Sequence, residues 1–316
     1  MTDKPLPDLM SFAHAVHSQH GEDGVIAEIF RRLGVERGVF CEFGAIDGVR
    51  NSNCRALFEK GWRGVFIEPS EEGFQQLRKN YAGHTDRITV LNLFVKSGGE
   101  NSLDRIFARC GVDGLDFLSI DIDSDDLAVW RSLTAPRPKV VMIEYNYAIP
   151  FDIRYENPPG SAHGNGALSI LDHAVDAGYD FVGFVGYNLI FCDRGVRPVS
   201  LPVVSLRRFI DEGARRVFFV GYDGTILRRD DAGRVHDDEL VSMPHMPGYL
   251  LQPFPRWLRY FGGSPRRTRF RRRWTVLQAF MVRPFAVLST APRLWSKILG
   301  HRARRLARRE RARNGD

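Results

Sequence analysis

The fold of this chain is decided at residues 39–48, which run Val39-Phe40-Cys41-Glu42-Phe43-Gly44-Ala45-Ile46-Asp47-Gly48. A short apolar run that meets an acidic residue and a glycine turn predicts a buried strand. Two later apolar runs end in the same way, one at Glu68 and one at Asp121. Three acidic strand ends along one α/β pattern favour a nucleotide-like ligand lying across one edge of a parallel sheet.

Strand and helix patterns alternate around this stretch. Apolar runs predict strands at about 38–43, 64–68, 88–95, 116–121 and 139–144, and helical periodicity predicts helices within 18–33, 52–60, 71–81, 103–109 and 125–133. Such alternation predicts a Rossmann-like, doubly wound and mostly parallel α/β sheet whose strands end at one edge. After a helix at 167–177, two β runs at 180–185 and 189–193 predict a C-terminal antiparallel hairpin.

Composition divides the chain into four segments. We predict an N-terminal loop and helix (1–35), a ligand-binding α/β domain (36–230), a loop-like linker (231–265) and a basic tail (266–316). A further hairpin is expected at 216–227, turning at Asp223-Gly224. The tail holds 16 Lys/Arg against 2 Asp/Glu, a net +14, while the remainder holds 29 against 36, a net −7. Attraction to phosphate or to anionic lipid therefore belongs to the tail.

The remaining composition is that of an ordinary globular protein, with 43% hydrophobic and 26% charged residues. Four cysteines are scattered without a CxxC pair, which argues against a thiolate metal site or a disulfide framework and favours a reducing, cytoplasmic location. No run of about 18 apolar residues predicts a membrane span. The N-terminus is polar and proline-bearing, so we expect no secretory signal.

The turn after the first strand lacks the G-x-G-x-x-G spacing of dinucleotide-binding loops. Gly44, Ala45 and Gly48 are small enough to let the backbone approach a ligand. Acidic strand ends suit a cationic or hydroxyl-rich ligand better than a pyrophosphate. Glu68 stands where a carboxylate can accept both hydroxyls of a ribose. The competing interpretations are a tight turn without a ligand and a solvated charge at a strand end.

Several carboxylates follow the fourth predicted strand, between residues 121 and 126. Strand alternation places Asp121 and Asp123 on one side. Together with Glu144 and Asn146, which end the next strand, they offer the oxygen ligands that Mg²⁺ prefers. Capping of the following helix by the last three residues of the range explains part of the cluster instead.

An irregular segment at 148–165 is rich in Pro, Gly and Asn and is long for a plain connection, which is typical of functional loops. His163 on this loop could act as a general base toward a hydroxyl group. A solvent-exposed loop histidine without a catalytic role explains the same residue.

Motifs spread over residues 18–194 are similar to those of a known family. The first set reads Ser18-Gln19-x-Gly21-Glu22-Asp23-Gly24, Glu42-Phe43-Gly44-Ala45-x-Asp47-Gly48-x-x-Asn51-Ser52-Asn53 and Gly61-Trp62-Arg63-Gly64-x-x-Ile67-Glu68-Pro69. It resembles the FkbM-type methyltransferases, which belong to the class I S-adenosylmethionine-dependent methyltransferases. The second set, at 118–126, 137–146, 166–169 and 178–191, resembles a related group of that superfamily.

The resemblance implies a sheet of about seven strands with the last one antiparallel. It implies that the first acidic turn surrounds the methionine part of S-adenosylmethionine, that Glu68 holds the ribose and that residues 95–97 border the adenine. The predicted cofactor-binding residues are Glu42, Gly44, Ala45, Asp47, Asn51, Glu68, Ser97 and Asp121. Asp121, near the methyl donor, and His163 are the predicted catalytic residues. Some related O-methyltransferases hold a divalent cation through an Asp-Asn pair after strand five, from which Glu144-x-Asn146 departs.

These expectations combine into an S-adenosylmethionine-dependent O-methyltransferase acting on a sugar, a glycan or a related hydroxylated metabolite. One alternative is a non-catalytic nucleotide- or glycan-binding module that keeps the sheet. Another is an RNA methyltransferase recruited by the basic tail. The mixed apolar and basic sequence at 274–299 favours contact with the anionic inner face of a membrane. The competing interpretation is a solvated tail without a partner.

Overall fold

The computed structural model describes residues 7–122, 124–151, 153–158 and 161–212, together with four short strands between residues 217 and 243. The backbone forms two compact units, Met1–Arg215 and Arg216–Asp316. Among the described residues, no helix combines the length and the apolar character needed to cross a membrane. The predicted basic tail at 266–316 lies outside the described residues.

The first unit alternates strands and helices as the sequence predicts. Its strands are β1 (Val39–Phe43), β2 (Arg63–Ile67), β3 (Ile88–Leu91), β4 (Phe117–Ile120), β5 (Val140–Glu144), β6 (Tyr179–Val185) and β7 (Asn188–Asp193). Its α-helices are α1 (Glu22–Leu33), α2 (Arg55–Glu59), α3 (Glu71–Asn80), α4 (Leu103–Cys110), α5 (Asp126–Ser132), α6 (Ala167–Asp176) and α7 (Leu206–Glu212). A 3₁₀ helix covers Leu9–Phe12 and another covers Gly99–Asn101.

The seven strands form one sheet in the order β3-β2-β1-β4-β5-β7-β6. β1 to β5 pair in parallel, and β7 runs antiparallel to both of its neighbours, β5 and β6. The predicted Rossmann-like, mostly parallel sheet of about seven strands with a C-terminal antiparallel hairpin is therefore confirmed. Strand order reverses between β1 and β4, and in such sheets the ligand crevice opens at that switch point.

Helices cover both faces of the sheet because strand side chains alternate between them. Cys41 and Phe43 of β1 face a core built with side chains of α4, α5 and α6, whereas Phe40 faces a core built with side chains of α1, α2 and α3. The cysteine is fully buried and free, as a small core residue should be. The covered faces leave the carboxyl edge of the sheet as the place where polar side chains gather.

Two elements differ from the prediction. β3 ends at Leu91 and not near residue 95, because the chain leaves the sheet and exposes Phe94 before burying Val95. The sequence pattern also gave no helix at α7. Its apolar residues Leu206, Phe209 and Ile210 have the i, i+3, i+4 spacing of one helix face, but only Phe209 is buried and the helix has only seven residues, too few for a repeated pattern.

The second unit contains a four-stranded sheet in the order β11-β10-β9-β8. β8 (Val217–Val220) and β9 (Ile226–Arg229) pair antiparallel, which confirms the predicted hairpin strands, while the predicted turn at Asp223-Gly224 lies outside the described residues. β10 (Val235–His236) and β11 (Ser242–Met243) fall in the stretch for which the sequence predicts only loop.

Candidate functional site

The backbone amides of the turn after β1 donate hydrogen bonds to oxygen atoms of the protein itself. The N–H groups of Gly44 and Ala45 both donate to the carbonyl oxygen of Ile67, at 3.1 and 3.2 Å. The N–H of Ile46 donates to Oε2 of Glu68 at 2.8 Å. A phosphate-binding loop needs such amides free to point at the ligand. The turn therefore does not form an amide cradle for a pyrophosphate.

Gly44 also brings the loops after β1 and β4 into direct contact. Its φ is +78°, and a Cβ atom placed on it would lie 1.7 Å from the carbonyl oxygen of Asp121. No side chain fits there, because the obstacle is backbone and cannot rotate away. The register aligns Phe43 of β1 with Ile67 and with Ile120, so the predicted residues Gly44, Glu68 and Asp121 leave their strands at one level.

Glu42 is 4% exposed and binds the segment before α2. Its carboxylate accepts hydrogen bonds from Ser52 Oγ at 2.7 Å, from the N–H of Asn53 at 2.8 Å and from the N–H of Cys54 at 3.2 Å. Burial raises the pKa of Glu42 to about 7, against the effect of these hydrogen bonds. The described contacts of Glu42 hold this loop in place, and its contact with a cofactor stays a prediction.

Glu68 occupies the end of β2 and is 6% exposed. One carboxylate oxygen accepts the N–H of Ile46 and the other accepts the N–H of Ser70, each at 2.8 Å. A carboxylate oxygen has two acceptor positions, so each oxygen keeps one for a second donor. Glu68 is thereby held rigidly and retains the capacity to accept ribose hydroxyls.

The rest of the predicted donor side is shaped by local turns. Asp47 is half-buried, and its Oδ1 accepts the N–H groups of Val49 and Arg50 at 2.9 and 2.7 Å, while Asn51 is exposed and has a φ of +59°. Ser97, which follows β3, is exposed. These residues lie on loops at the carboxyl edge, as predicted, and no described contact assigns a ligand to them.

The acidic turn after β4 is organised by a buried carboxylate. Asp126 accepts the N–H of Ile122 at 2.8 Å and the N–H of Ser124 at 2.9 Å, and burial raises its pKa to about 6. Asp121 itself is half-buried at the end of β4. Asp126 thus accounts structurally for part of the acidic cluster by binding the turn before α5, whereas the N-cap residue Asp125 makes no side-chain capping hydrogen bond to the helix.

The predicted Mg²⁺ ligands are only partly described. Asp123 lies outside the described residues, and Glu144 is half-buried at the end of β5. Asn146 Oδ1 already accepts the N–H of Ala148 at 2.8 Å. Within the described part of the chain, no three His, Cys, Asp or Glu side chains converge closely enough to hold a metal ion. The metal site therefore stays a prediction.

The loop that follows β5 is tied to the acidic turn by asparagines. Asn157 Nδ2 donates to Asp125 Oδ1 at 3.1 Å, and Asn165 Nδ2 donates to the carbonyl of Ser124 at 3.2 Å. The N–H of Asn146 donates to the carbonyl of Asn165 at 2.8 Å. The loop consequently spans the ends of β4 and β5.

His163 lies on this loop and is exposed. Its Nδ1 is 3.0 Å from Ser161 Oγ, and its N–H donates to Asn157 Oδ1 at 3.1 Å. The structure places the predicted base on the loop beside the acidic turn. No described contact links its ring to Asp121, so its catalytic role stays a prediction.

Two buried acids in the first turn of α1 were not among the predicted site residues. Asp23 Oδ2 accepts the N–H groups of Val16, His17 and Ser18 at 2.7–2.8 Å. Glu22 accepts the N–H of His20 at 2.7 Å and Asn188 Nδ2 at 3.1 Å. They anchor residues 16–20 against the β6–β7 turn. The motif at 18–24 was the signal that could have marked them.

A cleft of about 390 Å³ lies between α5, α6 and the loop after β5. Its lining is charged, but Arg131 is paired with Glu156 at 3.0 Å and Arg154 with Asp172 at 2.6 Å. These pairs attach the outer side of the loop to the helices. The charged lining of the cleft is therefore explained by these ion pairs, and the ends of the strands remain the candidate site.

No family model and no curated protein matches the chain. Solved structures of similar fold include TrmK of M. capricolum in complex with S-adenosyl-homocysteine, at 10% identity and a TM-score of 0.33 over 52% of this chain and 67% of that one. Magnesium protoporphyrin IX methyltransferase of Synechocystis PCC 6803 with bound S-adenosylmethionine gives 14% and 0.36 over 54% and 76%. The [4+2]-cyclase SpnF gives 12% and 0.37 over 55% and 67%.

Several structures of similar fold are therefore S-adenosylmethionine-dependent methyltransferases, and one is a cyclase. These identities and TM-scores are too low to assign an activity to this chain, so the activity has to be inferred from the chain's own residues. The finer resemblance to the FkbM type stays a prediction, because no family model matches.

Proposed function

We propose that the chain is an S-adenosylmethionine-dependent O-methyltransferase whose acceptor is a sugar, a glycan or a related hydroxylated metabolite. The observation that carries the proposal is the set of backbone amides and carboxylate side chains at the β1/β4 switch point, where the methyl donor would bind. The turn amides are committed to Ile67 and Glu68, and the side chains at the strand ends are carboxylates. Such a crevice suits a ligand with cationic and hydroxyl groups and no phosphate.

S-adenosylmethionine has those groups: a sulfonium, an α-amino group and a ribose with two hydroxyls. In the proposal, Glu68 accepts the ribose hydroxyls, and Asp47 and Asp121 face the positively charged methionine part. Ser97 borders the adenine. Glu42, Gly44, Ala45 and Asn51 shape the turn that surrounds the methionine part.

When bound, the cofactor supplies its methyl group to a hydroxyl oxygen, and the electron pair of the broken carbon–sulfur bond stays on sulfur. The chain has two tasks: to hold the hydroxyl in line with the methyl group and to accept its proton. His163 is the proposed base. Asn157 and Asn165 support that role by fixing the loop to the acidic turn at residues 124 and 125.

Calorimetric titration with S-adenosyl-homocysteine tests donor binding. Glu68→Gln keeps the size of the side chain but weakens its acceptance of ribose hydroxyls, so we expect about 10- to 100-fold weaker binding from the loss of charge-assisted hydrogen bonds. Glu72→Gln is the matched control, because Glu72 is exposed in the first turn of α3 and carries the same charge. No heat with the wild type, or equal affinities for both variants, would refute the donor site.

Methyl transfer separates the enzyme from a non-catalytic binding module. Incubation with methyl-labelled S-adenosylmethionine and a glycan extract should label a carbohydrate fraction. Binding of S-adenosyl-homocysteine without any labelled product would favour the module. EDTA tests the predicted Mg²⁺ ligands Asp121, Asp123, Glu144 and Asn146: activity unchanged by chelation would remove the metal from the mechanism.

An RNA acceptor is the second candidate, favoured by the net charge of +14 over residues 266–316. Changing the six arginines within residues 266–273 to glutamine should abolish a salt-sensitive RNA gel shift if the tail recruits RNA. Retention of the shift would count against it. The same variant in a vesicle sedimentation assay with anionic lipid tests the proposed membrane contact of the tail.

A further inference from the structure

An exposed isoleucine stands in the turn after β1, at a backbone position that favours glycine or asparagine. The N–H of Gly48 donates to the carbonyl oxygen of Ala45 at 2.7 Å and closes a four-residue turn. Ile46 is the first central residue of this turn and has a φ of +53°. A Cβ atom in that conformation crowds the following carbonyl oxygen, and β-branched residues rarely adopt it. The isoleucine therefore costs stability where it stands.

Three contacts prevent the backbone of Ile46 from relaxing. Its N–H donates to Oε2 of Glu68 at 2.8 Å. Its carbonyl oxygen lies against α3, where a Cβ atom added to Gly73 would be 3.1 Å away. The hydrogen bond that closes the turn holds the residue from both sides. Strained residues persist only where the surrounding structure holds them in this way, and they concentrate at binding sites.

The side chain of Ile46 keeps apolar surface open to solvent. Ile46 is 38% exposed, whereas the preceding residue, Ala45, is only 2% exposed. A single exposed isoleucine is ordinary on a protein surface. Ile46 combines that exposure with an unfavourable backbone conformation, so its packing within the protein explains the residue only in part. The remaining apolar surface is available to a ligand.

This surface is within reach of a ligand that Glu68 holds. Because the N–H of Ile46 is bonded to Oε2 of Glu68, the Cβ atom of Ile46 lies within about 5.3 Å of that oxygen. A ribose carbon whose hydroxyl donates to the same oxygen would lie within about 4 Å of it. The methyl groups of the isoleucine can therefore meet the C–H groups of a ribose.

An apolar cover would also affect the hydrogen bonds of Glu68. Glu68 is 6% exposed, and hydrogen bonds to a carboxylate gain strength where water is excluded. An isoleucine beside the carboxylate excludes water from the edge of the ribose. Glycine has no side chain to do so, and the amide group of asparagine attracts water.

We propose that Ile46 is a donor-binding residue that packs on the ribose of S-adenosylmethionine and shields its hydrogen bonds with Glu68. This inference rests on the proposed methyltransferase function. It assigns a role to the one position between Gly44 and Gly48 that the motif leaves open. The turn sets an apolar side chain beside an acidic one, which matches the C–H face and the hydroxyl edge of a ribose.

Methyl NMR on the full chain tests the contact, with S-adenosyl-homocysteine as the probe. The isoleucine δ1 methyl groups are labelled, and the signal of Ile46 is the one that Ile46→Leu removes. At saturation we expect nuclear Overhauser effects between this methyl group and the ribose protons. Binding without them, or with contacts only to the homocysteine part, would overturn the inference and leave the proposed function intact. No binding by the wild type would overturn both.

Calorimetry with the same probe separates the side chain from the backbone of the turn. Ile46→Gly and Ile46→Asn are compatible with the positive φ, but they should bind about five- to tenfold more weakly because the aliphatic contact is lost. Ile46→Leu keeps the apolar volume and should bind within about twofold of the wild type. Wild-type affinity in Ile46→Gly would show that only the turn matters and would overturn the contact.

Val175→Asn is the matched control. Val175 is another exposed aliphatic residue, on α6, which contacts β6 at the edge of the sheet. This variant should bind S-adenosyl-homocysteine as the wild type does. Equal weakening in Val175→Asn and in Ile46→Asn would overturn the inference. Weaker binding in Glu68→Gln together with unchanged binding in every Ile46 variant would refute this contact alone.

Discussion

The two halves of the carboxyl edge are built in different ways. On the half proposed to bind the methyl donor, here called the donor half, the ends of β1, β2 and β4 meet mainly through the backbone: Gly44 contacts Asp121, the amides of residues 44 and 45 donate to the carbonyl of Ile67, and the amide of Ile46 donates to the Glu68 carboxylate. On the half proposed to face the acceptor, here called the acceptor half, side chains far apart in sequence meet, such as Asn157 with Asp125 and Arg131 with Glu156. The contacts of the donor half are therefore set mainly by backbone positions at the strand ends, whereas those of the acceptor half depend on individual side chains.

The largest expected effect tests the rigidity of the donor half. Gly44→Ala should lower the free energy of unfolding by about 4 kcal/mol, because the new methyl group meets backbone and the residue must keep a positive φ. Urea denaturation measures the loss. Gly34→Ala separates the two causes, since Gly34 has a φ of +70° with no heavy atom within 4 Å of its added Cβ, and should cost only about 1–2 kcal/mol. Equal losses would show that the contact with Asp121 contributes nothing.

A smaller effect follows from the buried Glu42. Because its folded pKa is about 7, above the ordinary value of 4.5, it binds its proton more tightly in the folded state. Its contribution to stability is fully present below about pH 4.5 and is lost as the pH rises through 7, by about 3 kcal/mol in total. Denaturation midpoints of the wild type should fall across this window.

Glu42→Gln should flatten that part of the pH profile, because the substituted side chain has no proton to lose. At pH 8 the variant should approach or exceed the wild type in stability, and at pH 5 it should be less stable. An unchanged pH profile in the variant would show that another group, such as Asp126 with its pKa raised to about 6, causes the dependence.

The smallest effect tests the independence of the acceptor half. Asn157→Ala removes hydrogen bonds to Asp125, Ser161 and His163 and should cost about 1 kcal/mol locally. Hydrogen exchange should accelerate in residues 146–165, while the affinity for S-adenosyl-homocysteine stays unchanged. Asn80→Ala is the counterpart on the donor half, where Asn80 Nδ2 holds the carbonyl of Asp47 at 2.9 Å. Faster exchange of the 146–165 loop in both variants would contradict the independence of the two halves.

The sequence predicted the sheet well because its signals are local. Apolar runs gave six of the seven strands to within about two residues, and helical periodicity gave the end of α1 at Leu33. The exceptions have physical causes. β3 ends where its partner strand β2 ends, because Leu91 pairs with Ile67, and α7 has only seven residues.

The site was predicted less completely because its contacts are not local. The position of Glu68 at a strand end follows from the pattern, but its two backbone partners do not. The position of the His20 ring requires that residue 186 has no side chain, and Gly186 is 166 residues later in the chain. No sequence periodicity connects the two residues. The sequence therefore predicts which residues stand at the strand ends, while the contacts that hold them appear only in three dimensions.

A crystal structure of the chain with S-adenosyl-homocysteine tests the central claim most directly. We predict electron density at the β1/β4 switch point, with the ribose hydroxyls within hydrogen-bond distance of Glu68 and the sulfur atom near Asp121. The adenine should lie against the loop after β3 that carries Ser97. A ligand bound elsewhere on the chain, or a switch point that stays empty at saturating ligand, would contradict the account.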